Sequence, residues 1–164
     1  IIEDVLNNAV WAPTHGMVQP WRFKVYTGDA LKQLGVELEK IYKSAVPQAE
    51  WSERKLVKLR ERTSSVSVLI FICMRPEEHS TIPEIENVAA VSCAVQNMYL
   101  TCTAYGLGSY WSSPKYVYSE EMKAFLNLGY KDKCLGMFFM GYPEGEWPKS
   151  HRKPLEYVTE WFDK

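Results

Sequence analysis

Apolar residues recur at helical spacing from the first residues of the chain. Ile2, Val5, Leu6, Ala9 and Val10 predict an amphipathic helix that ends before Pro13, because proline pushes its predecessor out of the α region. Phe23-Lys-Val-Tyr26 then alternates and meets Thr27-Gly-Asp29, which reads as a short strand and a turn. Asp29 is a candidate N-cap for a helix to about Ala45, with Leu31, Leu34, Leu38 and Ile41 on its apolar face and Pro47 as its stop. Val46 to Trp51 has the mixed character of a loop that could cover something, with Trp51 as a half-buried anchor, and a charged helix follows from Ser52 to Arg62. Val66-Ser-Val-Leu-Ile-Phe-Ile-Cys73 is a continuous β-branched run and predicts a buried central strand.

A long helix is expected from Pro83 to a stop at Gly106. Val88, Val91, Val95, Met98, Cys102 and Tyr105 form one stripe along it, while Ala89, Ala90, Ser92, Cys93, Ala94 and Ala104 keep its other faces small. A helix apolar on more than one face is buried either in its own domain or against a partner subunit. Ser119 caps a short surface helix to about Leu126, and the strand Leu135–Gly141 ends at Gly141-Tyr-Pro143.

Composition narrows the picture. A chain of 164 residues, 46% of them hydrophobic, suffices for one domain (1–164) with a substantial core. A net charge of −1 gives no footprint for nucleic acid, and no apolar run approaches the roughly 18 residues of a membrane span. Arg54 to Arg62 is basic, but Glu53 and Glu61 interleave with Lys55, Lys58 and Arg60, the pattern of a solvated helix face. Cys73, Cys93, Cys102 and Cys134 sit inside apolar segments without a C-x-x-C pair, which suits buried thiols in a reducing compartment, the cytoplasm. His15, His79 and His151 are scattered, so no metal site is expected. Ile1 already lies inside a helical pattern, so a native segment is expected to precede it.

The candidate chemistry centres on Trp11-Ala-Pro-Thr-His-Gly-Met-Val-Gln-Pro-Trp-Arg-Phe23, a corner stiffened by Pro13 and Pro20 and turned at Gly16. By itself a Gln-Pro-Trp before a strand is equally an ordinary loop anchored by its Trp. Two further stretches follow: Gly106-Leu-Gly-Ser-Tyr-Trp-Ser-Ser-Pro114, whose backbone can approach a ligand closely, and His151-Arg-Lys-Pro154. Together with the Gly-Tyr-Pro turn, in this order, they resemble the FMN-dependent nitroreductase family, whose first loop commonly reads Pro-Ser-x-x-Asn-x-Gln-Pro-Trp-x-Phe. Met17 stands where that pattern has Asn, and Thr14 where it has Ser.

The resemblance implies an α+β fold: a central, mainly antiparallel sheet packed by helices, in an intertwined homodimer whose tail, Tyr157 to Phe162, reaches the partner's sheet. It implies FMN as cofactor and NADH or NADPH as reductant, with nitroaromatics, quinones or similar small acceptors reduced by a ping-pong exchange. No protein residue need act as the catalyst, because the flavin N5 carries the chemistry. Pro13, Thr14, His15 and Met17 would line the flavin of the neighbouring subunit, Trp111, Ser112 and Ser113 would contact its ring from the other side, and Arg152 would meet its phosphate. The family's N-terminal Arg-Arg-Ser element is absent from this sequence. Two other readings stay open: a specialised member such as a reductive dehalogenase or flavin-fragmenting enzyme, and a flavin-binding or interaction protein without turnover.

Overall fold

In the computed structural model, which describes residues 1–147 and 149–162, two helical layers enclose a four-stranded antiparallel sheet. In chain order the elements are α1 (Ile2–Ala9), β1 (Trp21–Thr27), α2 (Asp29–Ala45), α3 (Glu53–Ser65), β2 (Val68–Met74), α4 (Glu84–Ala104), β3 (Gly108–Ser112), α5 (Glu120–Phe125) and β4 (Lys133–Gly141). The strands lie in the order β1-β2-β4-β3. Asp29 is the first helical residue of α2 rather than its cap; Gly28 holds the cap position at φ 54° and Asp29 pairs with Lys32 instead.

The unbroken apolar run of β2 has its explanation in the two layers. Val68, Ile70, Ile72 and Met74 pack with α1 and α4, while Leu69, Phe71 and Cys73 pack with α2, α3 and α5. Side chains alternate along a strand, so a strand covered on both faces needs apolar residues throughout. β4 repeats the pattern, with Phe138 and Met140 on the first face and Cys134, Met137 and Phe139 on the second.

α4 buries Asn87, Ala90, Val91, Ala94, Val95, Met98, Thr101 and Cys102. Polar rungs fix its register on α1: Asn8 Nδ2 donates to Thr101 Oγ1 at 3.1 Å, and Asn97 Nδ2 donates to the Asn8 carbonyl at 3.0 Å. Two expectations are corrected here. Tyr105 leaves the apolar stripe and donates its hydroxyl proton to exposed Asp4. Cys93 is not buried, because two residues' separation from Val91 and Val95 turns it to the opposite side of the helix. There it joins exposed Ile85, Ala89, Gln96 and Leu100 in a face that none of the described residues covers.

Burial raises the pKa of the Tyr26, Tyr99 and Tyr116 phenols above the ordinary 10.0. Below pH 10 both folded and unfolded chains hold these protons, so the stability tied to them is fully present. Above it the unfolded chain releases them first, and that stability is lost as pH rises toward the folded values. Circular dichroism should therefore stay level through the neutral range and fall above pH 10, together with the appearance of phenolate absorbance.

Candidate functional site

A cavity of about 390 Å³ opens between α3 and the β3–β4 edge of the sheet. Its apolar wall is Tyr42, Val46, Leu59, Pro114, Tyr116, Met137 and Phe139, and its polar lining is Glu50, Lys55, Lys58, Arg62, Ser112 and Lys115. α3 turns Leu56, Leu59 and Thr63 inward, so that Lys55, Lys58 and Arg62, three and four residues apart, line the cavity beside Leu59. These three cations are exposed, as a solvated face requires, and they also line the cavity. The spacing was the available signal, since residues at i, i+3 and i+7 share a face.

The connector into α3 forms one wall. Tyr42 donates its hydroxyl proton to the Glu50 carbonyl at 3.4 Å and accepts the Ser52 amide at 3.1 Å, while Trp51 Nε1 donates to the Val46 carbonyl at 2.8 Å. Trp51 is thus the half-buried anchor expected of it. Tyr116 meets Tyr42 edge-on, with ring centroids 5.7 Å apart, and burial keeps its phenol neutral well past its usual range.

The electrostatics are one-sided. Lys55, Lys58, Arg62 and Lys115 face a single carboxylate, Glu50, and none of the four cations is in an ion pair among the described residues. Arg62 stacks over Tyr110 with its guanidinium carbon 5.2 Å from the ring centroid. Ser112 and Tyr116 are each only 8% exposed, and neither hydroxyl has a partner among the described residues. A concave apolar site with a few convergent polar groups is the ordinary form of a small-molecule pocket.

Strand alternation separates the residues expected at the second segment. Ser112 faces the cavity and Ser113 lies exposed just beyond it, but Trp111 turns to the α1/α4 side. Its amide donates to the Tyr99 hydroxyl at 2.5 Å, and the Tyr99 ring packs edge-on against Phe138 at 5.0 Å. The indole lies against Gly136, where β4 carries an irregularity opposite Ile72 and Cys73. Trp111 Nε1 is the one buried side-chain polar atom left without a partner among the described residues.

The first loop lies at the end of the sheet where β1 begins and β2 ends, held there by the Arg75 amide donating to the Pro20 carbonyl at 2.7 Å. Thr14 Oγ1 accepts the Gln19 amide, and His15 Nδ1 lies 2.5 Å from Glu86 Oε2. Pro13, Thr14, His15 and Met17 do not line the cavity of their own chain. Arg152 is exposed, its guanidinium donating to the adjacent His151 carbonyl, and it too stands apart from the cavity lining.

Met17 is 74% exposed and adopts φ 57°, in the left-handed region. Asn tolerates that region better than an unbranched apolar side chain does. Met17→Asn is expected to stabilise the fold by about 0.5–1 kcal/mol, readable as a rise in thermal midpoint. An unchanged or lowered midpoint would show that the turn is held by contacts of the thioether.

Comparison with known proteins adds to this geometry. The chain is similar to "Putative NAD(P)H nitroreductase YdjA" of Escherichia coli, 24% identical over 143 residues covering 87% of this chain and 76% of the relative. It is likewise similar to "Putative NAD(P)H nitroreductase YfhC" of Bacillus subtilis, 24% identical over 155 residues covering 94% of this chain and 79% of that one. Among solved structures, a nitroreductase-like family protein from Bacillus cereus superposes with a TM-score of 0.83 at 25% identity, covering 99% of this chain and 84% of its own. The "putative nitroreductase in complex with fmn" from Desulfovibrio desulfuricans shares the fold with a TM-score of 0.70 at 22% identity, over 98% of this chain and 84% of its own. The sequence profile of the nitroreductase family matches residues 1–142, and the chain belongs to that family.

Proposed function

We propose that this protein is an FMN-dependent oxidoreductase that takes hydride from NADH or NADPH and reduces small acceptors such as nitroaromatics or quinones, working as a homodimer. One observation carries the reading: a cavity with an apolar wall, the Ser112 and Tyr116 hydroxyls and four cations that form no ion pair among the described residues opens beside the Trp111–Ser113 segment. A flavin nucleotide is a flat apolar ring with a polar edge and a phosphate, and that donor set fits it. Bound FMN would supply the ring atom that accepts and returns the hydride.

The chain's own residues would do the rest. Ser112 and Ser113 offer hydroxyl and backbone contacts to the ring, and the α3 cations hold negative charge at its polar edge. Leu59, Met137 and Phe139 keep water from the buried side. Arg152 would meet the phosphate from the tail. Pro13, Thr14, His15 and Met17 of the partner subunit would close the site, which agrees with their distance from the cavity within one chain.

The uncovered face of α4 supports the dimer, and so does the tail, where Tyr157, Trp161 and Phe162 are 71–89% exposed. Apolar surface of this extent is buried when a partner is present. No helix among the described residues is long and apolar enough to cross a membrane, and the four cysteines are free thiols, which suits the cytoplasm.

The test is the visible spectrum of the purified protein, recorded anaerobically before and after NADH or NADPH. A flavin spectrum that bleaches, and returns when a nitroaromatic or quinone is added, is the expected result. Absence of flavin after reconstitution with excess FMN would sink the reading.

A further inference from the structure

Of the four cysteines, two stand directly opposite one another. Cys73 of β2 and Cys134 of β4 are Cα partners in the antiparallel ladder, and both side chains enter the apolar layer under α2, α3 and α5. Residues opposed in such a ladder have Cα atoms about 4.5–5.5 Å apart, within the ~4.4–6.8 Å that a disulfide spans. Their sulfurs already face each other: the Cys73 thiol donates to the Cys134 sulfur, and the Cys134 thiol donates to the Gly136 carbonyl at 3.7 Å. Cys102 lies on the other face of the sheet against Met140, and Cys93 is exposed on α4. We propose that Cys73 and Cys134 are a redox modification site, a dithiol that a peroxide converts to a cross-strand disulfide and a small dithiol restores.

The pair needs no flavin and stands whatever the cavity binds. Access comes from the end of the ladder. Cys73 is the last residue but one of β2 and Cys134 the second of β4, and Arg75 and Lys133 just beyond them are exposed. Strand ends open locally far more often than the whole fold does, which lets a small oxidant reach sulfurs that are 0% and 1% exposed in the closed ladder. The hydrogen bond from Cys73 holds the Cys134 thiol below its usual range, while the same bond and burial push Cys73 up. Cys134 is therefore the attacking sulfur. Its thiolate breaks the peroxide O–O bond and becomes a sulfenic acid, and the first water leaves with the Cys134 proton. The Cys73 sulfur then displaces the sulfenic hydroxyl, which leaves with the Cys73 proton as the second water. Two thiols and one hydrogen peroxide thus give one disulfide and two waters. Exchange with a dithiol returns both thiols and leaves that dithiol oxidised. In a reducing compartment disulfides are of this transient kind. The bond would tie β2 to β4 beside Gly136, against which the Trp111 indole lies, and so stiffen the strand that carries Met137 and Phe139 into the cavity wall.

The test uses the full chain carrying Cys93→Ser, which removes the exposed thiol. It is treated with hydrogen peroxide under native conditions, then denatured in an alkylating agent. Free thiols are expected to fall from three to one, with a mass loss of about 2 Da and one linked peptide pair holding Cys73 and Cys134, all reversed by dithiothreitol. The thermal midpoint of the oxidised form should rise by roughly 5–10 °C, because the bond closes a long loop in the unfolded chain. Cys134→Ala should abolish both the linkage and the rise. Mass gains of about 16 or 32 Da without linkage, a linkage through Cys102, or a Cys73–Cys134 bond that lowers the midpoint overturns the proposal. So does a linkage that forms only in denaturant.

Discussion

Gly136→Ala is expected to destabilise the fold by about 3 kcal/mol and to strip the protein of flavin. Gly136 adopts φ 142°, a conformation essentially closed to other residues and strained by about 1–3 kcal/mol when one is forced into it. A Cβ there would also collide with the Trp111 indole and would come within 2.7 Å of the Ser112 carbonyl oxygen. Neither neighbour is the free end of a flexible chain: the indole is packed into the core and the carbonyl belongs to β3. Relief therefore requires moving β3 off β4, at a cost of about 1–3 kcal/mol for such overpacking. Ser112 lines the cavity, so the same movement displaces its wall. Urea denaturation and the ratio of flavin to protein absorbance measure the two effects. Wild-type stability with full flavin would show that β3 accommodates the methyl group without disturbing the site.

Cys93→Arg is expected to give a folded, monomeric, flavin-free protein. Cys93 lies midway along the uncovered face of α4, between Ala89 and Gln96, where a long charged side chain meets only water in the single chain. Arginine is a good helix former, so the monomer keeps its stability to within about 0.5 kcal/mol. In a two-fold dimer built on this face the charge enters twice, opposite its own copy, and truncating or blocking a central contact typically costs about 2–4 kcal/mol. If the partner's first loop closes the site as proposed, flavin would then be lost with it, even though every cavity residue of the chain remains. Light scattering with size-exclusion chromatography reads the assembly, and the visible spectrum reads the cofactor. A dimer that still carries flavin would move the interface elsewhere.

The elements that could be read from the sequence are those whose pattern is set locally. The unbroken run at β2, the 3.6-residue period of α1 and the Gly106 stop of α4 each follow from a few neighbouring residues, and each is found where expected. Residues whose role depends on distant chain were not legible. Lys55, Lys58 and Arg62 look solvated until β3 and the Lys115 turn, some fifty residues later, raise the other wall of the cavity. His15 gives no sign in its own surroundings of pairing with Glu86, 71 residues away. The side of α4 that holds Cys93 was ambiguous because both faces are small and apolar, and only α1 and the sheet decide which one is covered. Met17 is intermediate: the family pattern marks the position for Asn, and its left-handed backbone supplies the physical reason.

Burial of β2 on both faces has a consequence for synthesis. Val68–Met74 carries no charge and no proline, and it takes its hydrogen bonds from β1 on one edge and β4 on the other. β1 has left the ribosome by then, but β4 begins only at Lys133. At ~5–20 residues per second the nascent chain holds a bare apolar strand edge for several seconds before its second partner exists. A short, uncharged, β-branched edge is the kind of segment that pairs with other chains. The most protected seven residues of the finished protein are therefore its principal aggregation hazard during translation, and yield on expression should respond to temperature and chaperone supply more than to the stability of the folded state.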